Sequence, residues 1–183
     1  RQRVFAVASN EENNGRQVTR IPVDKFGQIG SFSATAKDVV VWQVANGESG
    51  NIQANPTTQA GIFADCTASG VDYLPTFNYQ TALFDSASWQ GPAGLGILII
   101  KDAQNWQNPL PHNDHTRVPG TFSLPLAIAS SVALEAYLAE RDIRAKLKEM
   151  IMNYLNSEIP TVDIASSPDG ISKFLSFSIS GVE

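Results

Sequence analysis

The chain has 183 residues, 43% of them hydrophobic, and a formal charge of −5. That is enough apolar material for one domain with its own core, without a disulfide framework, which the single Cys66 excludes in any case. The net negative charge also excludes a surface broadly dedicated to nucleic acid. Charged residues make up only 17%, below the ~25% usual for globular proteins, so the surface is polar but weakly charged, as in many secreted proteins and virion components.

In chain order, Arg3–Val23 reads as an N-terminal hairpin turning at the NEENNG cluster, and Pro22 places its second strand at a sheet edge. Asp38–Ala45 (DVVVWQVA) is apolar on both faces, which predicts a central strand closed by the turn NGESGN. Ile52–Trp89 is irregular, with short strand candidates at Gly61–Cys66 and Phe77–Phe84. Its aromatic residues Phe63, Tyr73, Phe77, Tyr79, Phe84 and Trp89 are expected to anchor loops on the sheet. Leu95–Lys101 reads as a second apolar strand, Asp102–Asp114 as a loop, and Thr116–Leu126 as a strand leading into a helix.

That helix is predicted over Ser131–Asn156. Val132, Ala136, Ala139, Ile143, Leu147, Met150 and Tyr154 recur at steps of three and four and form one continuous stripe. Leu134, Tyr137 and Leu138 add a second apolar face, so the first half is expected to be buried on two sides. The basic residues Arg141, Arg144, Lys146 and Lys148 are interleaved with Asp142 and Glu149 and read as a solvated face. After Pro160 and the SSPDG turn, Ile171–Ser180 alternates as a terminal strand, with Ile171, Leu175, Phe177 and Ile179 inward. The fold expected is α+β: a mainly antiparallel sheet, one long helix across it and a terminal strand, in a single domain of residues 1–183. No stretch approaches the ~20 apolar residues of a membrane span, and no signal peptide is expected.

The densest polar cluster is PHNDHTR, in which His112, Asp114 and His115 carry metal-ligand chemistry with Asp102, Asp65 or Cys66 as further donor types. The competing reading is a solvated loop. Neither a G-x-S-x-G elbow nor a cysteine-protease flank around Cys66 is present, and Asp65, Asp72 and Asp85 read equally well as turn residues.

The passage FSLPLAIASS (Phe122–Ser131) followed by a long helix resembles the C-terminal part of single-stranded RNA bacteriophage coat proteins, and the N-terminal hairpin is similar to theirs. The resemblance implies a virion coat or tail subunit that assembles into a symmetric shell or tube. It implies no catalytic residue, no cofactor and no membrane partner. Its subunit interface would be built from Val132, Ala136, Ala139, Ile143, Leu147, Met150 and Tyr154, flanked by Leu134 and Leu138. Genomic RNA is the partner such a subunit would take, yet no strand of alternating Lys and Arg is present to grip it. The second expectation is a secreted or periplasmic hydrolase or metal-binding protein using the His112/Asp114/His115 loop. A third is a monomeric binding module with a ligand pocket in Ile52–Trp89.

Overall fold

The computed structural model describes residues 4–10, 15–106 and 123–181, with side chains from residue 19 onward. A six-stranded sheet has the order β2-β1-β3-β4-β5-β6, built from β1 (Val4–Asn10), β2 (Gly15–Ile21), β3 (Asp38–Gln43), β4 (Gly61–Asp65), β5 (Thr81–Asp85) and β6 (Gly96–Ile100). The N-terminal hairpin forms, and β2 lies at the sheet edge as Pro22 predicts.

The sheet is mixed, which corrects the mainly antiparallel expectation. β3, β4 and β5 pair in parallel, flanked by antiparallel β1 and β6. The alternating patterns report which face a residue lies on but carry no strand direction. Parallel neighbours need a crossover, usually helical; here residues 44–60 and 66–80 cross as irregular chain. Those crossovers cover one face of the sheet. Val40, Trp42, Ile62, Ala64, Ala82 and Phe84 lie beneath Phe32, Tyr73, Phe77 and Tyr79. The opposite side of the central strand is less covered, with Val39 47% exposed.

The helical region also departs from expectation. α1 (Leu124–Ala139) begins where a strand was expected, and α2 (Arg141–Glu158) follows after a break at Glu140. Pro125 sits in the first turn, where the missing amide costs nothing, so the alternation of Leu124 and Leu126 belongs to a helix start. No proline or glycine stands at the break, where Glu140 has φ −93° and ψ 5°. The helical ladder resumes at once, Arg144 N donating to Glu140 O at 3.1 Å.

The buried faces are Ser130 and Tyr137 on α1 and Lys148, Met152 and Leu155 on α2. The first half of the helix is therefore covered on one side only. Packing selected that face through specific polar contacts: the Trp89 indole donates to Ser130 O at 3.2 Å and Ser130 Oγ at 3.1 Å, and Ser86 Oγ bonds Ser130 Oγ at 2.9 Å.

The terminal strand is shorter than expected. β8 (Phe177–Ile179) pairs with β7 (Val162–Ile164) in a separate two-stranded sheet, with Phe177 exposed. Residues 165–171 dock instead on the NGESGN turn. Asn51 Nδ2 donates to Ala165 O at 2.8 Å, Ser166 Oγ to Ser49 O at 2.6 Å, and Ile171 N to Gly50 O at 2.8 Å.

Candidate functional site

In open sheets with parallel strands, ligands bind beyond the carboxyl ends of those strands. Asp65 and Asp85 end β4 and β5, and both serve turns there. Asp65 Oδ1 accepts from Thr67 N at 3.0 Å and from Thr67 Oγ1 at 2.6 Å, and Asp85 Oδ1 accepts from Ala87 N at 2.9 Å. Their carboxylates satisfy the local backbone, as the turn reading of the sequence expects.

Asp72 is different. The chain leaving β4 carries it against α1 and α2, where its side chain is 6% exposed. The Tyr137 hydroxyl donates to Asp72 Oδ2, and Arg144 Nη2 lies 3.6 Å from Asp72 Oδ1. Tyr137, Arg141 and Arg144 are spaced four and three apart, so the helices present them on one side. The Arg144 guanidinium stacks 3.5 Å from the Tyr137 ring centroid, and Arg141 Nη2 donates to Asp72 O at 3.1 Å. Lys173 approaches from the C-terminal segment, its ammonium donating to Ser88 O at 2.7 Å in the 3-10 turn (Ser86–Trp89) after β5.

The electrostatics follow from this enclosure. Burial lowers the Lys173 pKa below the ordinary lysine value; Asp72 opposes that shift and Arg144 reinforces it. Burial also raises the Tyr137 pKa above that of an ordinary phenol, helped by its hydrogen bond to Asp72 and the charge there. Beside the cluster is a recess of about 260 Å³. Ile52, Asp72 and Tyr73 line one wall, Arg141 and Ala145 of α2 another, and Asp169–Ser172 close it. A larger hollow of about 400 Å³, along Lys146, Glu149 and Asn153 of α2, lacks such buried charges. The opposite charges of Asp72 and Arg141 on its lining, beside the enclosed Tyr137–Arg144 pair, mark the smaller recess as the candidate site.

The sequence-predicted residues fare unevenly. His112, Asp114 and His115 lie outside the described residues; among the described residues no group of three or more His, Cys, Asp or Glu is placed to hold a metal. Cys66 is fully buried, and burial pushes its thiol up to about 12, far from a nucleophilic thiolate. The solvated basic face holds for Arg141 and Lys146, which are exposed, and is corrected for the other two: the Arg144 side chain is 12% exposed, and Lys148 is buried, its ammonium donating to Ser167 O at 2.7 Å. Leu134 packs on the core, whereas Val132, Ala136, Leu138, Ala139, Ile143, Leu147, Met150 and Tyr154 all face outward. No helix among the described residues is long and apolar enough to cross a membrane.

No family model matches the chain, and no curated protein matches its sequence. Solved structures do match. A NifS-like protein covers 93% of this chain and 53% of its own length, with a TM-score of 0.71 and 21% identity. The chain is similar in fold to about half of that protein. A NifS-like protein from Rickettsia africae covers 89% of this chain and 52% of its own at TM-score 0.63 and 18% identity. DndA from Streptomyces lividans covers 73% of this chain and 43% of its own at TM-score 0.56 and 18% identity. The chain thus spans about half the length of the proteins it matches.

These neighbours overturn the resemblance to RNA phage coat proteins, and with it the non-enzymatic coat or tail subunit and the virion location. The strand-into-helix passage that carried the resemblance is the start of α1. Neither shell assembly nor a genomic RNA partner has support, and the hydrolase or metal-binding alternative gains none from the same neighbours.

Proposed function

We propose that this chain supplies part of an enzyme of the NifS-like, cysteine desulfurase type, and that the recess beside Asp72 receives a small zwitterionic amino acid. The observation that carries the reading is the NifS-like fold, matched over 93% of the chain at a TM-score of 0.71. The recess supports it chemically. Arg141 offers a planar guanidinium fork to a carboxylate, while Asp169 and Asp72 offer negative charge to an ammonium. Tyr137 and Arg144 fix the Asp72 carboxylate from behind, which favours one orientation of the bound molecule.

Within this reading Cys66 does not accept sulfur. A thiol that attacks or accepts sulfur must reach its partner as a thiolate, and Cys66 is enclosed and held protonated. The acceptor is therefore a reductant or a thiol outside this chain. Sulfide release from L-cysteine in the presence of dithiothreitol, with L-serine as control, tests the proposal. Sulfide above the uncatalysed background that falls at least tenfold in Arg141→Gln supports it; release that Arg141→Gln leaves unchanged refutes the assignment of the recess.

A further inference from the structure

Trp42 carries an unanswered donor. The residue is 4% exposed, and its indole N–H is buried without a hydrogen-bond partner among the described residues. The indole N–H of Trp89, by contrast, is matched by Ser130. A buried donor left unmatched is costly and uncommon, so its surroundings show what would complete it. Trp42 forms part of the lining of a cleft of about 320 Å³ that shares no lining residue with the recess beside Asp72. Residues 29–32 make one wall and residues 53–57 the other. Gln53 pins the walls together, its Oε1 accepting from Ile29 N at 3.0 Å and its Nε2 donating to Gly27 O at 2.7 Å. No charged residue stands among the described lining of this cleft.

A second hollow, of about 230 Å³, shares Ser31 and Phe32 with the first, so the two adjoin along this stretch of chain. Phe32 packs its ring 5.5 Å from that of Trp42. Residues 31–34 run past both hollows without a turn. Gly30 N donates to Pro22 O and Thr35 N to the Asp38 carboxylate, but the amides between them have no hydrogen-bond partner among the described residues.

We infer that the cleft binds an extended segment of a partner polypeptide, which pairs with residues 31–34 as an added strand and sets a glutamine or asparagine side chain against the Trp42 indole. The free backbone of residues 31–34 supplies donors and acceptors at the strand repeat. Two adjoining hollows along it suit side chains two residues apart, which lie on one face of an incoming strand. The side-chain amide answers the indole with an uncharged carbonyl oxygen. A carboxylate there would lose its hydration with no cation to meet it, and an aliphatic side chain would leave the indole unmatched.

Nuclear magnetic resonance of the nitrogen-15-labelled full chain tests the site with pools of blocked hexapeptides of valine and threonine, each pool carrying glutamine, asparagine, glutamate or leucine at one position. The three tryptophans give three indole N–H signals, and Trp42→Phe identifies the one concerned. The glutamine or asparagine pool is expected to move that signal saturably and leave those of Trp89 and Trp106 in place. It also slows exchange at alternate amides, either Ser31 and Ser33 or Phe32 and Ala34, because one edge of a strand presents every second N–H. The glutamate and leucine pools bind about tenfold more weakly. In Trp42→Phe, checked for fold by circular dichroism, the glutamine pool loses its advantage over the leucine pool. A Trp42 signal that no pool moves at millimolar concentration overturns the inference, as do a glutamate pool that binds as tightly as the glutamine pool and exchange at residues 31–34 that binding leaves unchanged.

Discussion

The guanidinium carbon of Arg144 lies over the ring of Tyr137, 3.5 Å from its centroid, while both side chains reach the carboxylate of Asp72. The cluster joins the segment after β4 to both helices. Replacing one partner of so enclosed a pair strands the other charge, at a cost of about 3 kcal/mol. Arg144→Met is therefore expected to lower the urea midpoint sharply, whereas the Arg144→Met, Asp72→Asn double variant loses less than the two single changes combined. A double-mutant cycle measured by urea unfolding provides the coupling energy, and strict additivity would contradict the contact.

Trp89 ties the helix to the sheet through Ser130. Trp89→Phe keeps an aromatic ring but removes the N–H and leaves a small void. Its expected cost is about 2 kcal/mol, from the stranded acceptors and the lost volume. Thermal unfolding checks it, and an unchanged midpoint would show that these bonds contribute no net stability.

Gly50 has φ +72°, and an added Cβ would stand 2.6 Å from Phe174 Cβ. Gly50→Ala is expected to destabilise the chain by more than about 1 kcal/mol. It should also loosen the docking of residues 165–171, read as faster amide exchange at Ile171, whose N–H donates to Gly50 O.

Alkaline stability reports on Cys66. Its folded pKa is raised from 9.0 to about 12. Between those values the unfolded thiol has lost its proton while the folded one keeps it, so this group makes stability fall as pH rises, by at most about 1.4 kcal/mol per pH unit. Lys148 and Lys173, both lowered by burial, act oppositely as pH approaches the ordinary lysine value. Cys66→Ala separates the contributions: its stability should fall less steeply above pH 9 than that of the parent. Equal slopes would mean that the thiol titrates alike in both states.

Local features were legible in the sequence where a local cause sufficed. Pro22 marked an edge strand, the run DVVVWQVA a central one, and Tyr73, Phe77 and Tyr79 loop anchors, although Phe63 and Phe84, expected beside them, are strand residues, because burial and turn chemistry act within a few residues. Strand direction was not legible, since the alternation of Ile62 and Ala64 reads the same in parallel and antiparallel pairs. The helix was legible, but not its buried face: the longest apolar stripe points outward, and the packed face is chosen by Ser130 and Tyr137, two polar-tipped residues with partners far away in sequence. Asp72 was read, with Asp65 and Asp85, as a turn residue for the same reason. Nothing near it predicts that Tyr137, 65 residues on, and Arg144, a further two turns of helix along, will enclose it.

Calorimetric titration of L-cysteine into the full chain, repeated with Arg141→Gln and Asp169→Asn, tests the central claim most directly. Saturable binding to the parent at one site, weakened at least tenfold in both variants while their unfolding midpoints stay put, is the result predicted. Absence of binding up to millimolar cysteine, or binding indifferent to both changes, would contradict the assignment of the recess beside Asp72 as an amino acid site.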